Sequence, residues 1–225
     1  MDTRVFIISS ARANVPAGRI EGVRKVKTVI RSEELLLSAV SEALKSAPAG
    51  FARPDGIVVG VDNAIDSCKA EFYKEFLKDG PRGVSPLIFP YTSPNSVTAQ
   101  ATIAFGIRGT DMTTASGEVS FLKAMAYAYE LIKNGLLDAV VAGGVSEDSA
   151  YAMVLCAGEG CKEGELAEIV NCLDAGLIED CAGFAPLQSI EGSFAMMENA
   201  LKAPPCAVKV VDKGGRGVVI DIHAL

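Results

Sequence analysis

Residues 113–121, T-T-A-S-G-E-V-S-F, join a short apolar run to a long helical pattern. A turn between a strand and a helix is a common position for a reactive side chain. Enzymes of acyl chemistry often mount a nucleophile there, because the N-terminus of the following helix stabilises a negative charge. In this chain the position is held by a carboxylate, Glu118. A carboxylate is a poor acyl acceptor, since the mixed anhydride it would form is more reactive than the thioester consumed.

Glu118 therefore has two interpretations. It can complement the helix dipole, which would contribute about 0.3–1 kcal/mol, or it can fill or charge a binding pocket in place of a nucleophile. An acidic residue in the first turn is common on any helix, so the sequence favours the first interpretation.

The cysteines do not form a recognisable metal-binding pattern. Four of the six fall between positions 156 and 181 without a C-x-x-C spacing, and the only histidine is His223. We therefore expect no metal and no other cofactor, and we interpret the thiols as buried and reduced. The sequence suggests no role for this group, which consists of Cys156, Cys161, Cys172 and Cys181.

The charge distribution limits the partners. The net charge of -7 and the pI near 4.9 argue against a nucleic-acid surface, because a polyanion would be repelled. One segment, residues 11–32, is basic, with Arg12, Arg19, Arg24, Lys25, Lys27 and Arg31 against the single acid Glu21. A solvated arm is the ordinary interpretation of such a segment. The alternative is a dock for an acidic partner, centred on Arg24, Lys25 and Lys27.

The 225 residues, 49% of them hydrophobic, can bury one core, so we expect a single domain over residues 1–225. No run of eighteen apolar residues occurs, and the N-terminus carries an early acid and too short an apolar run for a signal peptide. The sequence thus predicts a cytoplasmic protein with no membrane partner.

The chemistry-bearing segment must be positioned by alternating strands and helices. Apolar runs predict strands at 5–10, 57–61, 110–115, 136–144 and 151–156. Periodic patterns predict helices from Ser32 to Pro48, at 70–78, 93–105, 119–134, 163–173 and 189–201. A glycine pair, Gly214 and Gly215, indicates a closing hairpin. This order implies a layered α/β fold with helices on a mostly parallel mixed sheet.

Two of these helices have a predicted buried face. The 70–78 segment is expected to point Phe72, Phe76 and Leu77 inward. In the helix after Glu118 the apolar residues recur at helical spacing and are expected to be buried; they are Phe121, Leu122, Met125, Ala128 and Ile132.

Several segments together resemble a known family. G-P-R-G-V-S-P-L-I-F-P (80–90), A-F-G-I-R-G (104–109) and N-G-L-L-D-A-V-V-A-G-G (134–144) are similar to the N-terminal half of β-ketoacyl-acyl carrier protein synthases, which have the thiolase-like fold. The resemblance covers residues 1–147. P-L-Q-S-I-E-G-S-F-A-M-M-E (186–198) and V-D-K-G-G-R-G-V-V-I-D-I (211–222) look like the family's lysine-serine-x-x-glycine-histidine stretch and closing hairpin. Residues 148–225 would then be a reduced C-terminal remnant of a shortened family member.

The resemblance implies that the catalytic groups of the family have been lost. Glu118 matches its nucleophilic cysteine, Gln188 its lysine and Ser193 its active-site histidine, while the second histidine has no counterpart. Claisen condensation needs a thiolate to hold the acyl group and donors for the developing oxyanions. The resemblance therefore predicts a pseudoenzyme that does not condense acyl units.

A family member of this kind is expected to work as a subunit. The resemblance implies a homodimer, or a heterodimer with a ketosynthase-like protein, because the family forms homodimers through the strand before the nucleophile and its chain-length-factor subunits pair with a competent synthase. In this chain the strand consists of Thr110, Asp111, Met112, Thr113, Thr114 and Ala115. The alternatives left open are an acyl-thioester decarboxylase or hydrolase that uses Glu118, and a module that binds acyl carrier protein through the basic arm.

Overall fold

A computed structural model describes residues 3–18, 20, 30–51, 53–158, 167–177 and 183–223. The predicted docking residues Arg24, Lys25 and Lys27 lie outside the described residues, as do Cys161 and Cys181.

The described residues form nine strands and five α-helices in alternating groups. The strands are β1 (Val5–Ala13), β2 (Gly56–Val61), β3 (Asp111–Thr114), β4 (Ala139–Val145), β5 (Ala150–Ala157), β6 (Ala167–Leu177), β7 (Ala185–Pro186), β8 (Cys206–Val211) and β9 (Arg216–His223). The helices are α1 (Arg31–Lys45), α2 (Asp66–Asp79), α3 (Asn95–Phe105), α4 (Ser120–Lys133) and α5 (Ile190–Lys202), with short 3-10 turns at Phe89–Thr92 and Gly117–Val119.

All nine strands belong to one mixed sheet in the order β3-β2-β4-β5-β1-β6-β9-β8-β7. The parallel pairings are β2 with β3, β2 with β4, and the short β7 with β8. Antiparallel pairings outnumber them among the described strands, in contrast to the mostly parallel sheet that was expected. One reason is the short 146–149 connection, which turns the chain straight from β4 into β5 and leaves no room for a crossover helix.

Two layers of helices cover the sheet. Helices α1 and α3 pack on one face, and α4 and α5 pack on the other. The alternation along β4 shows why both faces are apolar: Val140 and Ala142 join the α4 side, while Val141 and Val145 join the α1 side. The expected layered α/β fold with a C-terminal hairpin is therefore confirmed, because every central strand must bury both of its faces.

Most predicted elements are confirmed within a few residues. The helix after Glu118 buries the whole predicted stripe, with Phe121, Leu122, Met125, Ala128 and Ile132 at 0% exposure. The turn of the predicted hairpin lies between β8 and β9. Ser32 does not cap α1 as expected, because the helix already begins at Arg31; its hydroxyl donates to the carbonyl of Ala64 at 2.7 Å.

Two further predictions were wrong. The 163–173 segment is not helical where it is described: residues 167–173 belong to β6, which pairs with β1 and β9, so sheet pairing overrides the helical pattern. In α2, Phe76 and Leu77 do not point inward and are 40% and 81% exposed. The reason is that α2 packs on the 3-10 turn at Phe89–Thr92, where the rings of Phe72 and Phe89 lie 5.9 Å apart, instead of on the sheet.

Candidate functional site

Glu118 lies where the sequence predicted, at the entrance to α4. The backbone leaves β3, passes Gly117 with a φ of 62°, and forms the 3-10 turn Gly117–Val119 before α4 begins at Ser120. A positive φ of this size favours glycine, so Gly117 allows the sharp change of direction. The Glu118 side chain is 19% exposed.

The hydroxyl of Ser120 fixes this turn. Its oxygen accepts a hydrogen bond from the backbone N–H of Ser116 at 2.7 Å and lies 2.7 Å from the carbonyl of Gly117 and 3.1 Å from that of Val61. Gly60 makes the approach of the helix to β2 possible, because a Cβ there would lie 2.2 Å from the carbonyl carbon of Ser120. Glu118 is therefore mounted on a rigid support.

The turn of the closing hairpin lies over Glu118. Lys213 in this turn places its Nζ 3.5 Å from Oε1 of Glu118. Arg216, which begins β9, lies against the same 3-10 turn, since a Cβ added at Gly117 would be 3.2 Å from its Nη2. The Glu118 carboxylate is thus paired with Lys213, and the Arg216 guanidinium lies beside the same 3-10 turn.

Asp212 holds the hairpin turn in this position. Its carboxylate has 0% side-chain exposure and accepts hydrogen bonds from the backbone N–H groups of Gly214 at 2.8 Å and Arg216 at 2.9 Å, and from Nε of Arg216 at 2.6 Å. Burial alone would raise the pKa of Asp212, but these hydrogen bonds and the guanidinium charge lower it. The turn is therefore anchored by an ionised carboxylate.

Two further carboxylates lie near Glu118. Asp62 directly follows β2, and its pKa is raised by burial and by the negative charges of Glu118, Glu191 and Asp66, while Lys213 opposes the shift. Burial and this repulsion both favour the protonated form of Asp62. Among the described residues, no group of three acidic, cysteine or histidine side chains is close enough together to hold a metal ion.

Glu191 enters the site from the first turn of α5. Burial would raise its pKa, but hydrogen bonds from the hydroxyls of Ser146, Ser189 and Ser149 and from its own backbone N–H lower it. The hydroxyl of Ser149 donates to Oε1 at 3.3 Å. Unlike Asp62, Glu191 is therefore stabilised as a carboxylate.

The three residues that were predicted to match the family's catalytic groups lie in different surroundings. Ser193 is fully buried in α5, which packs against the turn that carries Glu118, and its hydroxyl donates to the carbonyl of Ile190 at 2.6 Å. Gln188 is exposed in the segment before α5. The hydroxyl of Ser193 is thus engaged within its own helix.

The predicted dimer strand corresponds to β3, an edge of the sheet. It pairs with β2 on one side, and no described strand lies on its other side. Asp111 and Met112 are exposed, while the hydroxyl of Thr113 lies 2.6 Å from that of Thr98 on α3. The flanking residues Thr110 and Ala115 lie outside the strand as it is formed. An unpaired edge of this kind can accept another strand.

The first and last cationic residues of the basic segment 11–32 make contacts within the protein. Arg12 lies 3.9 Å from the carboxylate of Glu198, and Arg31 donates to the carbonyl of Asn14 at 3.0 Å.

Cys156 and Cys172 are buried, and burial raises the pKa of the Cys172 thiol. Over the described ranges, no helix is long and apolar enough to span a membrane.

The sequence interpretation missed Asp62, Glu191, Lys213 and Arg216. Asp62 could have been found, because it directly follows β2, which is parallel to β3, and the carboxyl ends of parallel strands meet at one edge. The glycine pair beside Lys213 indicated a tight turn but did not show where that turn would dock.

The fold and the position of Glu118 define a class, an α/β protein with a buried mixed sheet and a charged group at the head of a central helix. Residues 14–158 match the family model described as Beta-ketoacyl synthase, N-terminal domain. The match covers well over half of the chain, so the chain belongs to the β-ketoacyl synthase family.

The sequence is also similar to that of a curated relative. The chain is 26% identical over 144 residues to the granaticin polyketide beta-ketoacyl synthase 1 of Streptomyces violaceoruber, an alignment covering 59% of this chain and 34% of the relative. The chain therefore spans about a third of the length of the curated relatives it matches.

The fold itself is similar to the ishigamide ketosynthase/chain length factor, with a TM-score of 0.76 and 14% identity over 99% of both chains. It is also similar to a type II polyketide ketosynthase solved in complex with its acyl-carrier protein, with a TM-score of 0.71 and 13% identity over 99% of this chain and 100% of the other. At these identities the likeness shows the shared thiolase-like fold.

Proposed function

We propose that this chain is a non-condensing ketosynthase-like subunit that pairs with a competent β-ketoacyl synthase in the assembly of a fatty-acid, polyketide or polyene chain. One observation carries the proposal. The position predicted to match the family's cysteine holds Glu118, and its carboxylate is paired with Lys213 at 3.5 Å under the closing hairpin. A carboxylate held in this way has neither the nucleophilicity nor the access that acyl transfer needs.

The edge strand β3 supports the pairing. A second strand added to β3 would extend the sheet across a two-fold axis, and main-chain hydrogen bonds would supply affinity. Exposed apolar side chains lie on β3 and on α3 beside it, with Met112 36% and Ile103 53% exposed. The solved neighbour that contains a ketosynthase and a chain length factor supports a partner of the same fold.

Co-expression with a full-length synthase tests the proposal. The partner is expected to co-purify in a stable complex, and Met112→Arg is expected to weaken it, because a charge would be buried in the new interface. Val15→Arg is the matched control, since Val15 is also an exposed apolar residue, 75% exposed, but lies after β1. A chain that remains alone in the presence of the synthase would contradict the proposal.

A second candidate is an acyl-thioester enzyme of altered chemistry, such as a decarboxylase or hydrolase. The raised pKa of Asp62 beside Glu118 favours it, because a carboxyl group with this property can act as a general acid or base. Turnover of a malonyl thioester that is abolished by Glu118→Gln or Asp62→Asn would establish this function. Unchanged background hydrolysis in the wild-type protein would exclude it.

A third candidate is a module that binds acyl carrier protein through Arg24, Lys25 and Lys27. The solved ketosynthase in complex with its acyl-carrier protein supports a partner of this type. Binding that weakens with salt and is lost when the three cations are neutralised would distinguish this role from pairing through β3.

A further inference from the structure

A cleft lies at the end of the sheet opposite to Glu118. It has a volume of about 600 Å³ and is formed by the three segments that precede the parallel strands β2, β3 and β4. Because Glu118 follows β3, the length of that strand and its turn separates the two places. The cleft is therefore not part of the candidate site described above.

The cationic side chains of the cleft lie on the β3 side. Arg53 donates from Nη1 to the carbonyl of Gly106 at 3.3 Å, which draws its guanidinium towards the segment before β3. Arg108 belongs to that same segment and lines the cleft as well. Within the described ranges no carboxylate forms an ion pair with either guanidinium, so both charges are available to a ligand.

The anionic side chains lie on the β4 side. Oδ2 of Asp55 accepts hydrogen bonds from the backbone N–H groups of Asp138 at 3.2 Å and Ala139 at 3.1 Å, which places this carboxylate beside the start of β4. Asp138 lines the cleft next to it. Leu136, which is 68% exposed, and Leu137 add an apolar wall. The cleft thus has a positive side, a negative side and an apolar surface.

The sheet gives the separation of the backbone segments beside which the two sides lie. Strands β3 and β4 flank β2, and two inter-strand spacings correspond to about 10 Å. The ammonium and carboxylate of a free amino acid are only about 3–4 Å apart, which is much less than this separation. An extended tripeptide separates its terminal charges by about 10 Å.

We propose that this cleft binds the two termini of a short zwitterionic peptide of about three residues. Its carboxylate lies against Arg53 and Arg108, its ammonium lies against Asp55 and Asp138, and its side chains contact Leu136. Guanidinium groups suit this role because they bind carboxylates through two parallel hydrogen bonds.

Titration calorimetry of the full chain at low salt, with trialanine, alanine, N-acetyl-trialanine and trialanine amide, tests the proposal. Trialanine is expected to bind at least tenfold more tightly than alanine. Arg108→Gln is expected to weaken binding of trialanine and its N-acetyl form about fivefold and to leave the amide unaffected, because the amide has no carboxylate. Asp138→Asn is expected to weaken trialanine and the amide and to leave the N-acetyl form unaffected.

Arg82→Gln, which removes a cation outside the cleft, is the control and should leave every affinity unchanged. The proposal is overturned if trialanine does not bind at about 10 mM, if alanine binds equally well, or if neither cleft variant changes an affinity. No synthase partner or thioester takes part, so the outcome is independent of the proposed function.

Discussion

The anchored hairpin turn gives the sharpest prediction of stability. Asp212→Asn keeps the shape of the side chain but removes its charge and brings amide hydrogens towards the donors of Arg216. The wild-type carboxylate is fully buried and accepts two backbone hydrogen bonds and one from the guanidinium. Loss of the charge-assisted bond and one mismatched contact should cost about 2–3 kcal/mol. For a chain of this size the melting temperature should fall by about 5–10 °C.

Urea denaturation of Asp212→Asn, Arg216→Gln and the double variant measures the coupling between the two side chains. Each single change leaves one partner unsatisfied, so the double variant should lose at least 1 kcal/mol less than the sum of the single losses. Strictly additive losses would show that the two residues do not act as a pair and would refute this account of the turn.

The same pair predicts a dependence on pH. Because the folded pKa of Asp212 is below its unfolded value, its contribution to stability is present above the unfolded pKa and is lost as the pH falls through the folded value. Wild type and Asp212→Asn should therefore converge in stability at the acid end of a pH series. A difference that stays constant down to pH 2 would contradict the assigned cause.

Three further predictions concern other parts of the molecule. Gly60→Ala should destabilise the protein by at least about 3 kcal/mol in urea denaturation, because the new Cβ would meet the backbone of Ser120. Gly143→Ala should cost less, because the nearest neighbour of its new Cβ is a side chain at 3.2 Å. Equal losses of stability in the two variants would contradict this reasoning. Asp62→Asn should raise stability by up to about 1 kcal/mol at pH 7. Because the folded pKa of Asp62 is above its unfolded value of 3.8, its ionisation costs stability at neutral pH. Below about pH 3.8 the carboxyl is protonated in both states, so the gain from the substitution should vanish there. A loss of stability at pH 7 would contradict this reasoning. Burial raises the pKa of Tyr151 to about 12, so ultraviolet titration of the folded chain at pH 11 should show the same phenolate absorbance in wild type and in Tyr151→Phe; a larger phenolate absorbance in wild type would exclude the assignment.

The sequence was informative where local pattern and tertiary packing agree. The apolar stripe of α4 predicted its buried face because that helix packs directly on the sheet. The same reasoning failed for α2, where Phe76 and Leu77 remain exposed because the helix packs on a 3-10 turn. Residues 167–173 carry a helical pattern, but strands β1 and β9 impose pairing on them, and no local signal indicates a partner so distant in the chain.

The candidate site was only half predictable for the same reason. Glu118 could be placed from the strand, the turn and the helix around it. Lys213 and Asp62 reach it from elements about 95 residues later and 56 residues earlier in the chain, so their convergence depends on the sheet order and the docking of the hairpin.

The two borders of the sheet differ in a way that limits how copies can stack. Strand β7 at one border is only two residues long and contains Pro186, which has no amide hydrogen to offer an incoming chain. Strand β3 at the other border has no such block. Addition at one border alone produces a closed pair, whereas a fibril would need two receptive borders. Overproduction without a companion should consequently yield discrete assemblies in preference to endless polymers.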